Sequence, residues 1–295
     1  MNNRRGEQEV DLRAVLATVG ITGEAAATPI SGGTDTSIWQ VTAGDRRYAL
    51  RLFGAGREAG CQREVAVMEV ARAAGVPVPE VYATGVWNGR AAMLLEWGAG
   101  EPLIQTLVAH PQRAEQLGRL FGATQAAIHR VPAPPILQQS DRSWIDWYSE
   151  DEADERPLRE HLRALASQDE RLLHLDYHPY NVMTDGERIT AVLDWTNAHA
   201  GDARADFART FSILLLVAGS GLPNLPASSV MRRFMAGWRS GYRQVGGRLA
   251  DLAPFCAWAG VVLERDLAQK VSSQDLARIH RWAERWKRRS FGMSA

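Results

Sequence analysis

Three side chains stand out by type and spacing. Asp176 and Asn181 lie in the run His174-Leu175-Asp176-Tyr177-His178-Pro179-Tyr180-Asn181, and Asp194 ends the stretch Ile189 to Leu193 that follows Val182-Met183-Thr184 and Asp185-Gly186. A two-residue turn at Asp185-Gly186 is expected to pair Thr184 with Glu187, and that register folds Asp194 back against the Asp176 to Asn181 loop. One carboxylate that orients a hydroxyl and accepts its proton, beside an amide and a second carboxylate offering hard oxygens to Mg²⁺, equips a site for phosphoryl transfer. On this reading Asp176 is the base, and Asn181 and Asp194 are the metal ligands. A competing reading takes His174, Asp176 and His178 as a hydrolase metal cluster, since alternate residues of a strand share a face. Pro179 interrupts any such strand, and no second histidine cluster accompanies it. A histidine just ahead of such a loop serves more simply to orient it from the core.

The elements that must hold these groups are legible on either side. Ile38 to Thr42 and Tyr48 to Leu52 alternate like strands across the turn Ala43-Gly44-Asp45, which predicts a hairpin. Arg57 to Ala74 changes to helical spacing through Cys61, Val65, Met68 and Ala71, and Gly75 and Pro77 end it. Val76 to Tyr82 leads on to Ala91 to Glu96, a strand buried on both faces, which Trp97-Gly98-Ala99-Gly100 breaks. Beyond it the chain reads as mainly helical, with Leu117, Leu120, Phe121, Thr124 and Ile128 on one face of a helix and amphipathic stretches from Arg204 to Trp286. A strand-rich island, Leu172 to Trp195, interrupts them.

Before the hairpin, Ser31-Gly32-Gly33-Thr34-Asp35-Thr36-Ser37 has the composition of a phosphate flap, in which Ser31, Gly33, Thr34 and Ser37 present backbone N–H groups and hydroxyls to a triphosphate. Pairing across Gly44-Asp45 sets Arg51 opposite Ile38, just past that flap, where a cation reaches the α- and β-phosphates. Glu64 falls on the Cys61, Met68, Ala71 stripe of the following helix. A lone charge is costly there, so Arg51 and Glu64 are expected to pair. The only lysines are Lys270 and Lys287, which excludes a P-loop, whose lysine must sit beside its glycines.

Composition narrows the class. The 295 residues are 45% hydrophobic, and 34 basic side chains balance 34 acidic ones, so no global field points to nucleic acid or an anionic membrane as a partner. Cys61 and Cys256 stand far apart, as expected of a reduced cytoplasmic protein without a disulfide framework. Met1 to Val10 is polar and charged and does not read as a secretory signal. The most apolar run, Phe211 to Ala218, falls well short of the ~20 residues of a membrane span and reads as a buried helix.

The motifs His174-Leu-Asp176-Tyr-His178-Pro-Tyr-Asn181 and Leu193-Asp194-Trp195, with Gly201-Asp202 and Asp206 downstream, resemble the bacterial aminoglycoside phosphotransferase and choline kinase superfamily. The resemblance spans nearly the whole chain. It implies an α+β, two-lobed protein-kinase-like fold: a nucleotide-binding lobe over residues 1–97, a linker over 98–103, and a helical lobe with catalytic loop and acceptor site over 104–295. It further implies ATP or GTP as donor, Mg²⁺, and a small-molecule hydroxyl acceptor. Backbone groups around Glu96 to Gly98 become candidates for the purine edge, and Asp202 and Asp206 become supports that hydrogen-bond the catalytic loop. Two positions depart from the pattern: Leu175 stands where the family usually has glycine, and Arg51 where protein kinases place lysine, although arginine is common there in this family. The acceptor region would contain Trp144, Asp146, Trp147, Tyr148 and the acidic run to Glu155. Those groups can hold an amine or amino sugar, or can simply be packing and a solvated loop. A pseudokinase that binds nucleotide without transfer is the remaining alternative.

Overall fold

Gly44 and Asp45 alone separate two long strands, and Gly44 takes the φ of +61° that so tight a turn needs. The computed structural model describes residues 10–30, 36–138, 143–147, 155–167, 170–219 and 225–292. In chain order its elements are α1 (Leu12–Thr18), β1 (Ala25–Ile30), β2 (Thr36–Ala43), β3 (Arg46–Ala55), α2 (Glu58–Ala73), β4 (Val81–Trp87), β5 (Arg90–Glu96), β6 (Glu101–Pro102), α3 (Leu103–Ala109), α4 (Ala114–Ile128) and α5 (Pro135–Gln138). Then follow α6 (Arg156–Leu165), β7 (Arg171–Leu173), β8 (Val182–Thr184), β9 (Ile189–Val192), β10 (His199–Gly201), α7 (Ala203–Gly219), α8 (Ser228–Gly246), α9 (Leu252–Leu267) and α10 (Ser273–Ser290). Short 3₁₀ turns cover Pro111–Arg113 and Trp144–Trp147.

The chain divides into two compact units, one comprising the residues up to Glu69 with Pro79–Gly98, the other Val70–Val78 with everything from Ala99 onward. The first is built on a five-stranded antiparallel sheet in the order β1-β2-β3-β5-β4. Ile38 faces Arg51 in the β2–β3 ladder. Between β3 and β4, β5 is buried from Ala91 to Leu95, which accounts for its unbroken apolar sequence. Val15, Leu16, Val41, Leu50, Leu52, Ala92 and Leu94 form the core of this unit.

The second unit is mostly helical, with two small antiparallel sheets, β6-β8-β9 and β10-β7. Its core gathers Leu158, Leu162, Leu173, Leu175, Ala205, Ala208, Phe255, Trp258 and Val262 from α6, β7 and the loop after it, α7 and α9. Helices α4 and α8 touch backbone to backbone. A Cβ on Gly118 would lie 2.1 Å from the Phe234 carbonyl oxygen, one on Gly122 2.0 Å from that of Trp238, and one on Gly241 2.1 Å from that of Arg119. The apolar run Phe211 to Ala218 lies in α7, and only Leu214 of its aliphatic residues is fully buried, the others being half covered. Among the described residues no helix is long and apolar enough to cross a membrane. Cys61 and Cys256 are both buried and free.

The turn between β8 and β9 differs from the expectation. Thr184 pairs with Ile189, not Glu187, and the register shifts between Met183 and Thr184. The cause is local side-chain bonding. Asp185 Oδ1 accepts from the N–H groups of Glu187 and Arg188, both at 2.9 Å, while Thr184 Oγ1 donates to Arg188 O and accepts from Gly186 N. This Asx-type turn holds four residues where two were expected. The shift carries on along the ladder: Val182 faces Val192, where the expected register would have set it opposite Ile189.

Candidate active site

The loop between β7 and β8 carries Asp176 and Asn181, and buried groups behind it fix its path. Asp206, fully buried near the start of α7, accepts from the N–H of Leu175 at 2.8 Å and of His174 at 3.2 Å. His129 holds that carboxylate, with Nε2 2.7 Å from Asp206 Oδ2 and Nδ1 2.8 Å from the Tyr242 hydroxyl. Burial works to raise the Asp206 pKa, but the hydrogen bond and charge of His129, helped by His174, win, and the carboxyl is held below its ordinary range. Further along, Thr210 Oγ1 donates to Tyr177 O at 3.0 Å and receives Gln125 Nε2 at 2.8 Å, while Trp238 Nε1 donates to Gln125 Oε1. The buried Tyr177 ring stacks on Phe121 with centroids 4.2 Å apart, and its hydroxyl donates to Phe121 O. A network with every member satisfied gives the loop one conformation.

On that base, Asn181 Nδ2 lies 3.2 Å from Asp176 Oδ2 and 3.1 Å from Asp176 O. With the amide nitrogen so engaged, Asn181 Oδ1 remains as an oxygen donor. Leu193 N donates to Asn181 O at 2.8 Å, so the β8–β9 ladder delivers Asp194 one residue beyond the partner of Asn181. Asp194 has φ +59°, a left-handed backbone that a short polar side chain tolerates, and it accepts from Thr196 Oγ1 at 2.8 Å. An amide oxygen and a carboxylate are hard donors, too few for a closed cage and suited to Mg²⁺, which keeps water and phosphate oxygens in its shell.

For Asp176, burial is the largest influence and pushes its pKa up; the hydrogen bond from His178 and the charges of His178, His174 and Arg209 together outweigh it and bring it to about 2. The carboxylate is therefore ionised at working pH. His174 is not a metal ligand, since Nε2 meets Leu193 O at 3.0 Å and Nδ1 accepts from Asp176 N at 3.3 Å. No group of three His, Cys, Asp or Glu side chains among the described residues could hold a metal ion, which removes the basis for the hydrolase cluster.

In the first unit, Arg51 Nη1 and Glu64 Oε1 meet at 2.5 Å, both side chains buried. Ser37 lies on β2 opposite Leu52. Ser31, Gly33 and Thr34 lie outside the described residues, as does Tyr148. The N–H of Glu96 donates to Glu80 O at 2.8 Å, and its carboxylate accepts from Glu80 N, so that amide is not open to a purine.

Two further expectations need correction. Asp202 does not bond the loop that carries Asp176: it accepts from Ser167 N at 2.9 Å and is gripped by Arg204, whose Nη2 lies 2.7 Å from Oδ2. The physical reason is reach, since Asp206, one helical turn along α7, already occupies the loop's amides. Trp144 is 3% exposed and packs on Phe255 and Trp258, making it a core residue and not an acceptor platform. Asp146 pairs with Arg163 at 2.5 Å, and Trp147 lies beside His199 with ring centroids 5.6 Å apart. Glu155, the end of the acidic run, is buried against Lys287 at 2.5 Å and is not part of a solvated loop.

Sequence reading missed Gln125, His129 and Thr210. The signal was present for the first two, polar residues on the same helical stripe as Leu117 and Phe121, and it is the pattern that singled out Glu64.

Comparison with known proteins bears on the family and the fold. A model of the "Phosphotransferase enzyme family" (APH) matches residues 26–248, well over half of the chain. Hygromycin-B 4-O-kinase of Escherichia coli is 48% identical over 40 residues, a stretch that spans 14% of this chain and only 12% of that enzyme. Among solved structures, a thermostable mutant of aminoglycoside phosphotransferase APH(4)-Ia aligns with TM-score 0.66 and 18% identity over 95% of this chain and all (100%) of that one. Its ternary complex with AMP-PNP and hygromycin B aligns with TM-score 0.65 and 17% identity over 95% of this chain and 98% of that one. A Plasmodium vivax ethanolamine kinase aligns with TM-score 0.60 and 12% identity, over 95% of this chain and 87% of that one. The fold is thus α+β and protein-kinase-like, and, on the extent of the family match together with the loop geometry, the chain belongs to the phosphotransferase enzyme family.

Proposed function

We propose that this chain is a small-molecule kinase that moves the γ-phosphate of ATP or GTP onto a hydroxyl of a small acceptor, cationic or sugar-like. The observation that carries the reading is the contact of Asp176 with Asn181 on a loop whose amides are locked by Asp206, with Asp194 delivered alongside by the β8–β9 ladder. Asp176 orients the acceptor hydroxyl and takes its proton as the oxygen attacks in line. Because its pKa is low, it acts chiefly by holding the nucleophile in position and receives the proton late, as suits a loose phosphoryl-transfer transition state. Asn181 Oδ1 and the Asp194 carboxylate would hold Mg²⁺, which on the phosphates neutralises charge that builds on the transferred group. Arg51, held by Glu64, would supply the cation that attracts α- and β-phosphate oxygens. The flap Ser31, Gly33, Thr34 and Ser37 would cover the phosphates. The purine edge is assigned to Gly98 and to carbonyl groups near Glu96 rather than to the Glu96 amide. In this scheme residues 1–97 form the nucleotide lobe, 98–103 the linker and 104–295 the acceptor lobe. The hygromycin B and ethanolamine handled by the structural neighbours define the first acceptors to try.

Replacing Asp176 with asparagine tests the reading. Transfer should fall by about 10²–10⁴-fold, while the rise in melting temperature on adding Mg·ATP persists. Transfer by Asp176→Asn at the parent's rate would overthrow it.

A further inference from the structure

Arg209 is 5% exposed and satisfies its guanidinium with a single nitrogen. Nη2 donates to Asp266 Oδ2 at 2.7 Å, whereas Nε and Nη1 are buried and find no hydrogen-bond partner among the described residues. Unpaired donors on a buried cation are costly, so an arginine in this state is poorly explained by the stability of the unliganded protein. The indole of Trp147 lies against the guanidinium, 5.6 Å from its ring centroid, which attracts the cation but supplies no acceptor in the guanidinium plane. Trp147 is itself held by Arg265, which donates to its carbonyl oxygen, and by His199.

The position ties Arg209 to the chemistry. Helix α7 grips the catalytic loop twice, through Asp206 to Leu175 N at 2.8 Å and through Thr210 to Tyr177 O at 3.0 Å, and Arg209 lies between those two grips. Its charge is felt by the Asp176 carboxylate. Within a guanidinium, Nε–H and the Nη1–H groups occupy different edges, with Nη2 between them, and here Nη2 is taken by Asp266. One carboxylate cannot bridge the two open positions, and an ammonium group is repelled. Two separate oxygens are required, as the hydroxyls and ring oxygen of a sugar or cyclitol provide.

We propose that Arg209 is a specificity residue of the acceptor site, donating through Nε and Nη1 to two oxygens of a polyhydroxylated ring, with Asp266 fixing its guanidinium and the half-buried Trp147 as the cover that the ring displaces. The inference rests on the kinase reading above and extends it to the class of acceptor. It selects a ring dense in hydroxyls over a small amino alcohol with a single one.

The test uses the full chain and its Arg209→Met and Arg209→Lys variants, with hygromycin B as polyhydroxylated probe and ethanolamine as amino-alcohol probe, each with Mg·ATP. Expected are a preference of the parent for hygromycin B, a KM for it raised at least about tenfold in Arg209→Met and partly recovered in Arg209→Lys, and an unaltered KM for ATP. The unliganded Arg209→Met protein should melt at or above the parent temperature, because it loses unpaired buried donors while Asp266, 35% exposed at its side chain, turns to water. Preference for ethanolamine, an unchanged KM for hygromycin B, or a lowered melting temperature in Arg209→Met would each overturn the proposal. If the parent modifies neither probe, the melting temperature decides alone. A parent with no melting shift on adding Mg·ATP would count against the kinase reading itself.

Discussion

Leu175 sets two costs against each other. Its φ of +59° is a left-handed conformation that glycine adopts freely and leucine does not, at roughly 1–2 kcal/mol. Its side chain is fully buried in the core of the second unit, worth about 2–3 kcal/mol on burial alone and more once a cavity is counted. Burial wins, which explains how a leucine persists where the family usually has glycine. Leu175→Gly should therefore lower unfolding free energy by roughly 1–3 kcal/mol in urea titration, and a more stable variant would show that strain dominates. For Asp176, the depressed pKa means that its contribution to stability is fully present above about pH 3.8 and is lost as pH falls through about 2. The parent should thus lose its stability advantage over Asp176→Asn across that interval in acid unfolding. The same shift predicts that the pH–rate profile has no carboxylate limb at about pH 4–6; a limb there that vanished in Asp176→Asn would contradict the low value.

At the scale of elements, the approach of α4 and α8 controls where the loop's supports sit, because Gln125 projects from α4, His129 caps its C-terminus and Tyr242 projects from α8. Gly122→Ala would place a methyl 2.0 Å from the Trp238 carbonyl oxygen, which only a backbone shift relieves. We expect a loss of about 3 kcal/mol or more, seen as a lowered melting temperature together with weaker transfer, since the shift pulls on the Asp206 network. Gly60 in α2 is the control. It is exposed, with nothing within 4 Å of an added Cβ, so Gly60→Ala should stabilise by about 0.5–1 kcal/mol through helix propensity. These glycines recur at four-residue spacing, Gly118 and Gly122 on one helix and Gly237 and Gly241 on the other. The spacing was visible in the sequence, but which helix would meet which was not.

For the whole molecule, ligand linkage is the most accessible observable. Mg·ATP at about 100 times its dissociation constant should add about 2.7 kcal/mol to stability. Asp194→Ala should abolish most of that gain, as should EDTA, and a full shift in Asp194→Ala would remove Asp194 from the metal site. The two units have separate cores, one on the antiparallel sheet and one on α6, α7 and α9, so the shift is best followed by two probes that report each unit separately.

Periodicity and turn chemistry in the chain alone determined the β2–β3 hairpin, its register at Arg51, the doubly buried β5 and the Arg51–Glu64 pair, because those depend on neighbours in sequence or on one helix face. The order Asp176, Asn181, Asp194 was legible for the same reason: a short ladder joins them. Tertiary structure decided what lies behind them. That Asp206 and not Asp202 holds the loop, that Trp144 is core, that the turn after β8 is wider than two residues, and that Arg209 is buried with donors unused all follow from packing between distant elements or from competing side-chain bonds. Residue types fix what a group can do chemically, but its partners are fixed only when segments far apart in the chain exclude water together.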